Sequence, residues 1–312
     1  MTPTRQLPWD LPTLLRHIPG RKRFQCPLAK YTSFRIGGPA DALLHVEDVQ
    51  VLKHVYALAQ EHAIPFFILG GGSNLLIRDG GVRGIVVSLR GVFRTYRVAP
   101  SHAPAALVHA GVGFPLSRLA VELARQNWSG LEFAYGIPGT LGGAMVMNAG
   151  TYLGELRQVM LAARMLLPDG HERELPVEAL GLRYRGSAYP AGAILLGATM
   201  QVQAGAQATI EATMRASYAR RQQTQPLWLP NAGSIFKNPP GVAAGRLIDA
   251  LGLKGKRIGD AEISPVHANF IVNTGQATAV QVEALIALIR ERVQQTYGIG
   301  LELEVRVVGE EN

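Results

Sequence analysis

Apolar positions along this chain recur with two periods, every second residue in some segments and helical spacing in others, so strands and helices are both predicted. Residues 42–46 read as a short strand, and residues 48–62 follow with Leu52, Val55, Leu58 and Ala59 at helical spacing. Residues 65–69 form a second strand. This βαβ unit ends in Gly70, Gly71, Gly72, Ser73 and Asn74, after which residues 84–89 resume a buried-strand pattern. Pro115 stands where a first helical position is expected, and the helix it opens, to residue 127, carries Leu116, Leu119 and Leu123 on one face. Residues 131–152 are rich in turn formers, with Gly136, Gly139, Gly142, Gly143 and Gly150 close together. Strands at 158–167 and 194–202 close this middle region, and a helix over 207–222, with Ile210, Met214 and Tyr218 on its apolar stripe, opens a third. The clearest helix spans 279–297, where Val282, Leu285, Ile289 and Val293 are in phase and Gly298 stands at the end. Residues 301–308 then alternate strictly, as a half-buried strand does, with Glu302, Glu304 and Arg306 on one face and Leu301, Leu303 and Val305 on the other.

Length makes a single hydrophobic core too few. At 312 residues the chain exceeds the size at which one core stops growing, so two or three domains are expected. Hydrophobic residues at 47% and charged residues at 17% argue against disorder. A lone cysteine, Cys26, forms no intramolecular disulfide and has no clustered thiol or histidine with which to hold a metal, which points to a reducing compartment. Residues 1–21 mix Arg, Pro and Trp without an apolar stretch of signal-peptide length, and no later run approaches about 18 apolar residues. A soluble, cytoplasmic protein without membrane insertion is the expectation. The net charge of +8 raises nucleic-acid binding, but the basic residues are scattered, and the densest group, Lys254, Lys256 and Arg257, lacks interleaved aromatics. A basic surface, or a pocket for an anionic small molecule, fits better than a nucleic-acid partner.

The candidate chemistry lies in two glycine-dense stretches. After a strand, Gly70 to Gly72 leave backbone N–H groups free to approach phosphate oxygens, because no Cβ blocks them. The run lacks the G-x-G-x-x-G dinucleotide fingerprint and joins two strands instead of opening a long helix. Gly136, Ile137, Pro138, Gly139, Thr140, Leu141, Gly142 and Gly143 form the second stretch, so two segments jointly embrace a large anionic ligand. Thr140 and Asn148 are placed to add side-chain hydrogen bonds. The competing reading of each stretch is a structural turn.

Six matches together make the pattern specific. Residues 31–38 (YTSFRIGG), 69–76 (LGGGSNLL), 136–150 (GIPGTLGGAMVMNAG), 184–187 (YRGS) and 231–239 (NAGSIFKNP), followed by 301–306 (LELEVR), resemble the successive signatures of the UDP-N-acetylenolpyruvoylglucosamine reductase family. They run in family order over nearly the whole chain. The resemblance implies an α+β fold: an FAD-binding domain of the vanillyl-alcohol-oxidase (PCMH) type in two subdomains, 25–92 and 93–205, after an extension over 1–24. A substrate-binding domain over 206–299 and a terminal strand over 300–312 follow. It implies a cytoplasmic, NADPH-dependent flavoenzyme that reduces UDP-N-acetylglucosamine enolpyruvate to UDP-N-acetylmuramate for peptidoglycan. FAD is expected to be non-covalent, since no His or Cys flanks the Gly70 to Asn74 loop. The short stretch between Tyr184 and Ser234 resembles the compact form of the family, without the loop that carries a substrate-clamping tyrosine. The runner-up is an FAD-dependent sugar or lactone oxidase of the same fold.

The enolpyruvyl group is a vinyl ether whose carboxylate makes the terminal carbon electrophilic toward hydride. Its reduction needs a cation beside that carboxylate, polar stabilisation of the enolate and a proton donor at the neighbouring carbon. The resemblance assigns Arg185 to the carboxylate, Ser234 to proton donation and Glu304 to the enolate, with Lys237 as helper to Ser234. Alternation alone leaves Glu302 and Glu304 equivalent. The resemblance also implies that Tyr31, Thr32 and Arg35 join the two glycine stretches and Asn148 against FAD, and that Lys237, Asn238 and Lys254 bind substrate. No metal is implied, and the oligomeric state is left open, a monomer being compatible with the resemblance. His267 and Asn269, ahead of a buried strand, read as satisfied core polar groups.

Overall fold

The computed structural model describes residues 8–100 and 104–311. A one-turn helix α1 (Leu11–Leu14) precedes strand β1 (Lys22–Pro27), and Leu11, Leu15 and Ile18 are buried in the main core. The segment expected as an extension is therefore packed in from residue 11 onward, because its three aliphatic residues, spaced as one face of a helical turn, reach the core. Strand β2 (Pro39–Val46), helix α2 (Val49–Glu61) and strand β3 (Phe66–Ile68) form the βαβ unit. After the glycine run come β4 (Leu75–Ile77) and β5 (Val82–Leu89). The four-stranded sheet has the order β1-β2-β5-β3, with β5 inserted parallel between β2 and β3. Helix α2 begins at Asp48, whose carboxylate accepts from Gln50 N at 2.7 Å, and buries Leu52, Val55 and Ala59.

The second sheet is antiparallel. Its strands are β6 (Tyr96–Pro100), β7 (Ala105–Gly111), the two-residue β8 (Trp128–Ser129), β11 (Met160–Leu166), β12 (Glu172–Pro176) and β13 (Ile194–Ala204), in the order β12-β11-β13-β7-β6 with β8 on β13. Between its halves lie α3 (Leu116–Ala124), α4 (Leu141–Met147) and a hairpin of β9 (Gly150–Thr151) and β10 (Gly154–Glu155). Helix α4 falls where only turns were expected, because seven residues containing Gly142 and Gly143 carry no helical signal of their own. One hydrophobic cluster runs through both sheets: Leu44 and Val87 of the first share it with Val108, Met165 and Met200 of the second. Helix α5 (Gln207–Thr224) also buries Ile210 and Met214 there, so the helix expected to open the last domain completes the core of the preceding ones.

A second cluster gathers Phe236, α6 (Ala244–Ala250), a small sheet of β14 (Arg257–Ile258), β15 (Ala261–Ile263) and β16 (Ile271–Asn273), and α7 (Ala279–Tyr297). Helix α7 occupies its expected span, opened by a capping box between Thr278 and Gln281 and closed by left-handed Gly298 at φ 67°. Phe34, Ile36 and Leu76 belong to this second cluster, so the N-terminal half reaches into the C-terminal core on either side of the glycine run. The terminal strand β17 (Arg306–Val308) pairs in parallel with β4, immediately after that run. Among the described residues no helix is long and apolar enough to cross a membrane.

Candidate functional site

Three backbone segments meet around the first glycine run. A Cβ on Gly71 would lie 2.5 Å from the Cα of Gly139, and one on Gly70 would lie 2.8 Å from Thr140 Oγ1. Gly72, at φ 62°, leaves a Cβ only 2.1 Å from Tyr31 O. Ser73 Oγ donates to Pro138 O at 3.1 Å, and Ser33 N donates to Gly72 O at 3.1 Å. The segments 31–35, 70–74 and 136–140 thus touch backbone to backbone, which only glycine permits at these closest points. Among the described residues, the amides of Gly70, Gly71, Gly72 and Ser73 donate to no protein acceptor. A cluster of unpaired N–H groups on a small-residue loop is an anion cradle. The contact also changes why Gly71 matters: a side chain there strikes the opposite loop before it crowds any ligand. Gly71→Leu should therefore yield protein with little bound flavin and a lowered melting temperature, read from absorbance and a thermal scan.

The other residues expected at the cofactor divide. Thr140 caps α4, its hydroxyl accepting from Gly143 N at 3.5 Å. Arg35 is exposed, with φ 56°, and the Tyr31 hydroxyl accepts from Arg23 Nη1 at 3.2 Å. The Thr32 hydroxyl turns inward to donate to Ile36 O at 2.9 Å. Asn148 is fully buried: Oδ1 accepts from Arg157 N at 2.9 Å and Nδ2 donates to Arg183 O at 3.2 Å. Both amide groups are engaged, and the side chain braces the Arg183 to Gly186 turn from behind.

That turn delivers Arg185. Arg183 and Gly186 exchange backbone hydrogen bonds at 3.0 and 3.1 Å, and Arg185 sits between them at φ 50°. Its Nη2 donates to Gly150 O at 2.9 Å, and its Nε lies 2.9 Å from Glu304 Oε1. Glu304 arrives from the far end of the chain. Asn74 Nδ2 donates to Glu304 O at 3.0 Å, Arg306 N donates to Asn74 O at 3.1 Å, and Glu304 N donates to Ile235 O at 2.8 Å. The last bond puts Glu304 beside the half-buried Ser234 loop. The expected strand over 301–308 is shorter than its alternation implied: only Arg306–Val308 is strand, and the chain bends at Glu304. Glu302 and Glu304 consequently part company, with side chains 72% and 18% exposed. Glu302 pairs with Lys237 Nζ at 2.5 Å on the outside.

Burial pushes the Glu304 carboxyl above its ordinary value, against the opposing pull of Arg185 and Lys237. A carboxyl raised in the folded state binds more protons there than in the unfolded chain, so its contribution to stability is greatest at low pH and declines as pH rises past the ordinary value near 4.5. The melting temperature of wild type relative to Glu304→Gln should therefore fall with rising pH and then level off. A difference that grows with pH would show the carboxyl to be stabilised as the anion.

Of the residues expected at substrate, Asn238 Oδ1 accepts from Ala244 N at 3.0 Å at the start of α6, and Lys254 pairs with Asp249 at 2.8 Å. Sequence reasoning passed over three contacts between segments far apart in the chain. Ser33 Oγ donates to Asn231 O at 2.6 Å, Asn273 Nδ2 donates to Phe34 O at 3.1 Å, and Tyr218 with Arg221 packs against Gly136. Ser33 and Phe34 lie within the YTSFRIGG motif and Asn231 opens the NAGSIFKNP motif, but neither motif shows that it meets the other, and Asn273 lies outside both.

A parallel βαβ sheet and an antiparallel sheet sharing a core, with a glycine cradle between them, define an FAD-binding α+β oxidoreductase of the PCMH type, and residues 40–175 match the family described as "FAD binding domain". Residues 225–308 match "UDP-N-acetylenolpyruvoylglucosamine reductase, C-terminal domain". The chain is 46% identical to UDP-N-acetylenolpyruvoylglucosamine reductase 2 of Symbiobacterium thermophilum over 93% of each chain. It is 44% identical to the reductase of Anaeromyxobacter sp. (strain K), over 95% of this chain and 88% of that one. The solved UDP-N-acetylenolpyruvylglucosamine reductase (MurB) of Thermus caldophilus superposes with a TM-score of 0.79 at 39% identity, covering 93% of this chain and 98% of that one. The chain belongs to the UDP-N-acetylenolpyruvoylglucosamine reductase family.

Proposed function

We propose that this chain, in the cytoplasm, uses NADPH to reduce UDP-N-acetylglucosamine enolpyruvate to UDP-N-acetylmuramate in peptidoglycan precursor synthesis. The observation that carries the reading is the Arg185–Glu304 pair at 2.9 Å, with Glu304 hydrogen-bonded both to the residue after Ser234 and to Asn74 of the glycine cradle. The free amides of Gly70 to Ser73 and the loop from Gly136 to Gly143 suit the FAD diphosphate, with Tyr31, Thr32 and Arg35 at its edge. FAD held there would supply the hydride chemistry, linking NADPH to the terminal carbon of the enolpyruvyl group. Arg185 holds the substrate carboxylate and stabilises the charge that builds on it. Glu304, held against Arg185 at 2.9 Å, helps stabilise the enolate. Ser234 gives its hydroxyl proton to the neighbouring carbon, and Lys237 stabilises the alkoxide left behind. Asn238 and Lys254 take the diphosphate of the nucleotide. Functionally the chain divides at about the boundaries 25–92, 93–205, 206–299 and 300–312, with α5 as the element shared across the third.

The test is direct. Purified protein should be yellow, and acid precipitation should release all of that colour into the supernatant, since no residue beside the cradle forms a covalent link. NADPH consumption should require the enolpyruvyl nucleotide and match product one to one. Rapid consumption of O₂ without that nucleotide, or protein that binds no flavin, would overturn the reading.

A further inference from the structure

The ribbon carrying Ser234 is held along its edges by backbone pairing, and beyond Ile235 a side chain takes over. At its start Asn231 bridges Val272, and Asn273 N donates to Pro230 O at 2.9 Å. On the opposite edge Leu303 bridges Phe236, and Lys237 N donates to Glu302 O at 2.9 Å. Beyond Ile235 the neighbouring chain turns away, with Phe270 N donating to His267 O at 2.9 Å. There the side chain of Asn269 stands in for the missing strand. Phe236 N donates to Asn269 Oδ1 at 3.0 Å, and Asn269 Nδ2 donates to Phe236 O at 2.8 Å. Ile235 N donates to the backbone carbonyl of the same residue at 2.8 Å.

We propose that Asn269 is a positioning residue for the enolpyruvyl step, its amide locking Ile235 and Phe236, and through them Ser234 and Glu304, into one reacting geometry. Ile235 is the link: its N–H is bound to Asn269, its carbonyl accepts from Glu304 N at 2.8 Å, and Ser234 immediately precedes it. A primary amide supplies the adjacent donor and acceptor that this clamp requires; a carboxylate lacks the donor and a serine reaches neither group. Asn269 is only 3% exposed, so no water replaces a lost bond at no cost. His267 braces it, Nδ1 accepting from Asn269 N at 3.2 Å while the ring packs on Phe270 at 4.8 Å between centroids. The inference rests on the roles proposed above for Ser234 and Glu304.

The variants are Asn269→Asp, nearly isosteric but without the donor, and Asn269→Ser, which removes both contacts and serves if the first does not accumulate as folded protein. Amide hydrogen exchange, measured without substrate, should quicken over 234–237 and 303–305 and stay unchanged along α7. Flavin content and reduction by NADPH should match wild type, while reduction of the enolpyruvyl nucleotide by prereduced enzyme should slow about 10²-fold, the usual cost of a misplaced reacting group. Added to Ser234→Ala, the same change should cost no more than about twofold further, because both act on one interaction. Unchanged exchange in both variants, equal slowing of the two half-reactions, or a normal substrate half-reaction overturns the proposal. Ser234→Ala alone, run beside them, separates the failures: if it too leaves the substrate half-reaction intact, the role given to Ser234 falls.

Discussion

Ser234→Ala slows reaction of prereduced enzyme with the enolpyruvyl nucleotide by about 10²- to 10⁴-fold, the usual loss for a missing general acid, and leaves reduction by NADPH near its normal rate. That loss is roughly 3 to 5 kcal/mol of barrier. The split follows from where the proton goes. Hydride leaving NADPH requires no proton from the serine, whereas saturation of the enolpyruvyl double bond needs one at the carbon beside the ether oxygen. A serine hydroxyl is a weak acid and serves only where the acceptor is strongly basic and a cation stands near; Lys237 lies three residues on, its side chain 19% exposed. Ser234→Cys should recover part of the lost rate, since a thiol is the stronger acid at a similar reach. Two single-turnover traces decide the matter, one with NADPH and one adding substrate to prereduced enzyme. Equal slowing of both would mean that Ser234 positions the flavin, and an unchanged second trace would remove it from the chemistry.

The motifs were legible because they are local, and what was lost is the way they reach one another. Helix α7 could be read to its ends because its apolar phase, its capping box and Gly298 all lie within its own span. The terminal strand could not. Alternation over 301–306 is real as a pattern, but Leu303 bridges Phe236 while Arg306 to Val308 pair with Leu75 to Ile77, and the chain bends between the two partners. Period two fixes a face only along one unbroken strand. Glu302 and Glu304 therefore point to different surroundings, and the contact that decides it, Asn74 to Glu304, spans 230 residues. Asn148 shows a related limit of pattern. An asparagine after a glycine-rich stretch suits a ligand and a left-handed helix end equally well, and its φ of 42° and complete burial select the second. The two FAD subdomains were separable as patterns of strand and helix, yet their inward faces are all apolar, and nothing in an apolar face tells whether it meets its own sheet or the next.

Arg185→Gln should lower the substrate half-reaction by about 10²- to 10³-fold, the usual loss when one preorganised donor to developing charge is removed. Its effect reaches beyond the lost cation. Arg185 is the larger of the two influences that hold the Glu304 carboxyl down against burial, so its removal moves that carboxyl further up. Two groups facing the substrate carboxylate change together, and Arg185→Gln combined with Glu304→Gln should cost less than the sum of the single effects. Arg185→Lys distinguishes charge from geometry. Lysine keeps the positive charge but presents one ammonium where the guanidinium reaches Gly150 O through Nη2 and Glu304 through Nε, both at 2.9 Å. A rate between those of Arg185→Gln and wild type is expected, with flavin content unchanged in all three proteins. Full activity in Arg185→Lys would reduce the role of the fork to that of a point charge, and full activity in Arg185→Gln would remove Arg185 from the site's chemistry.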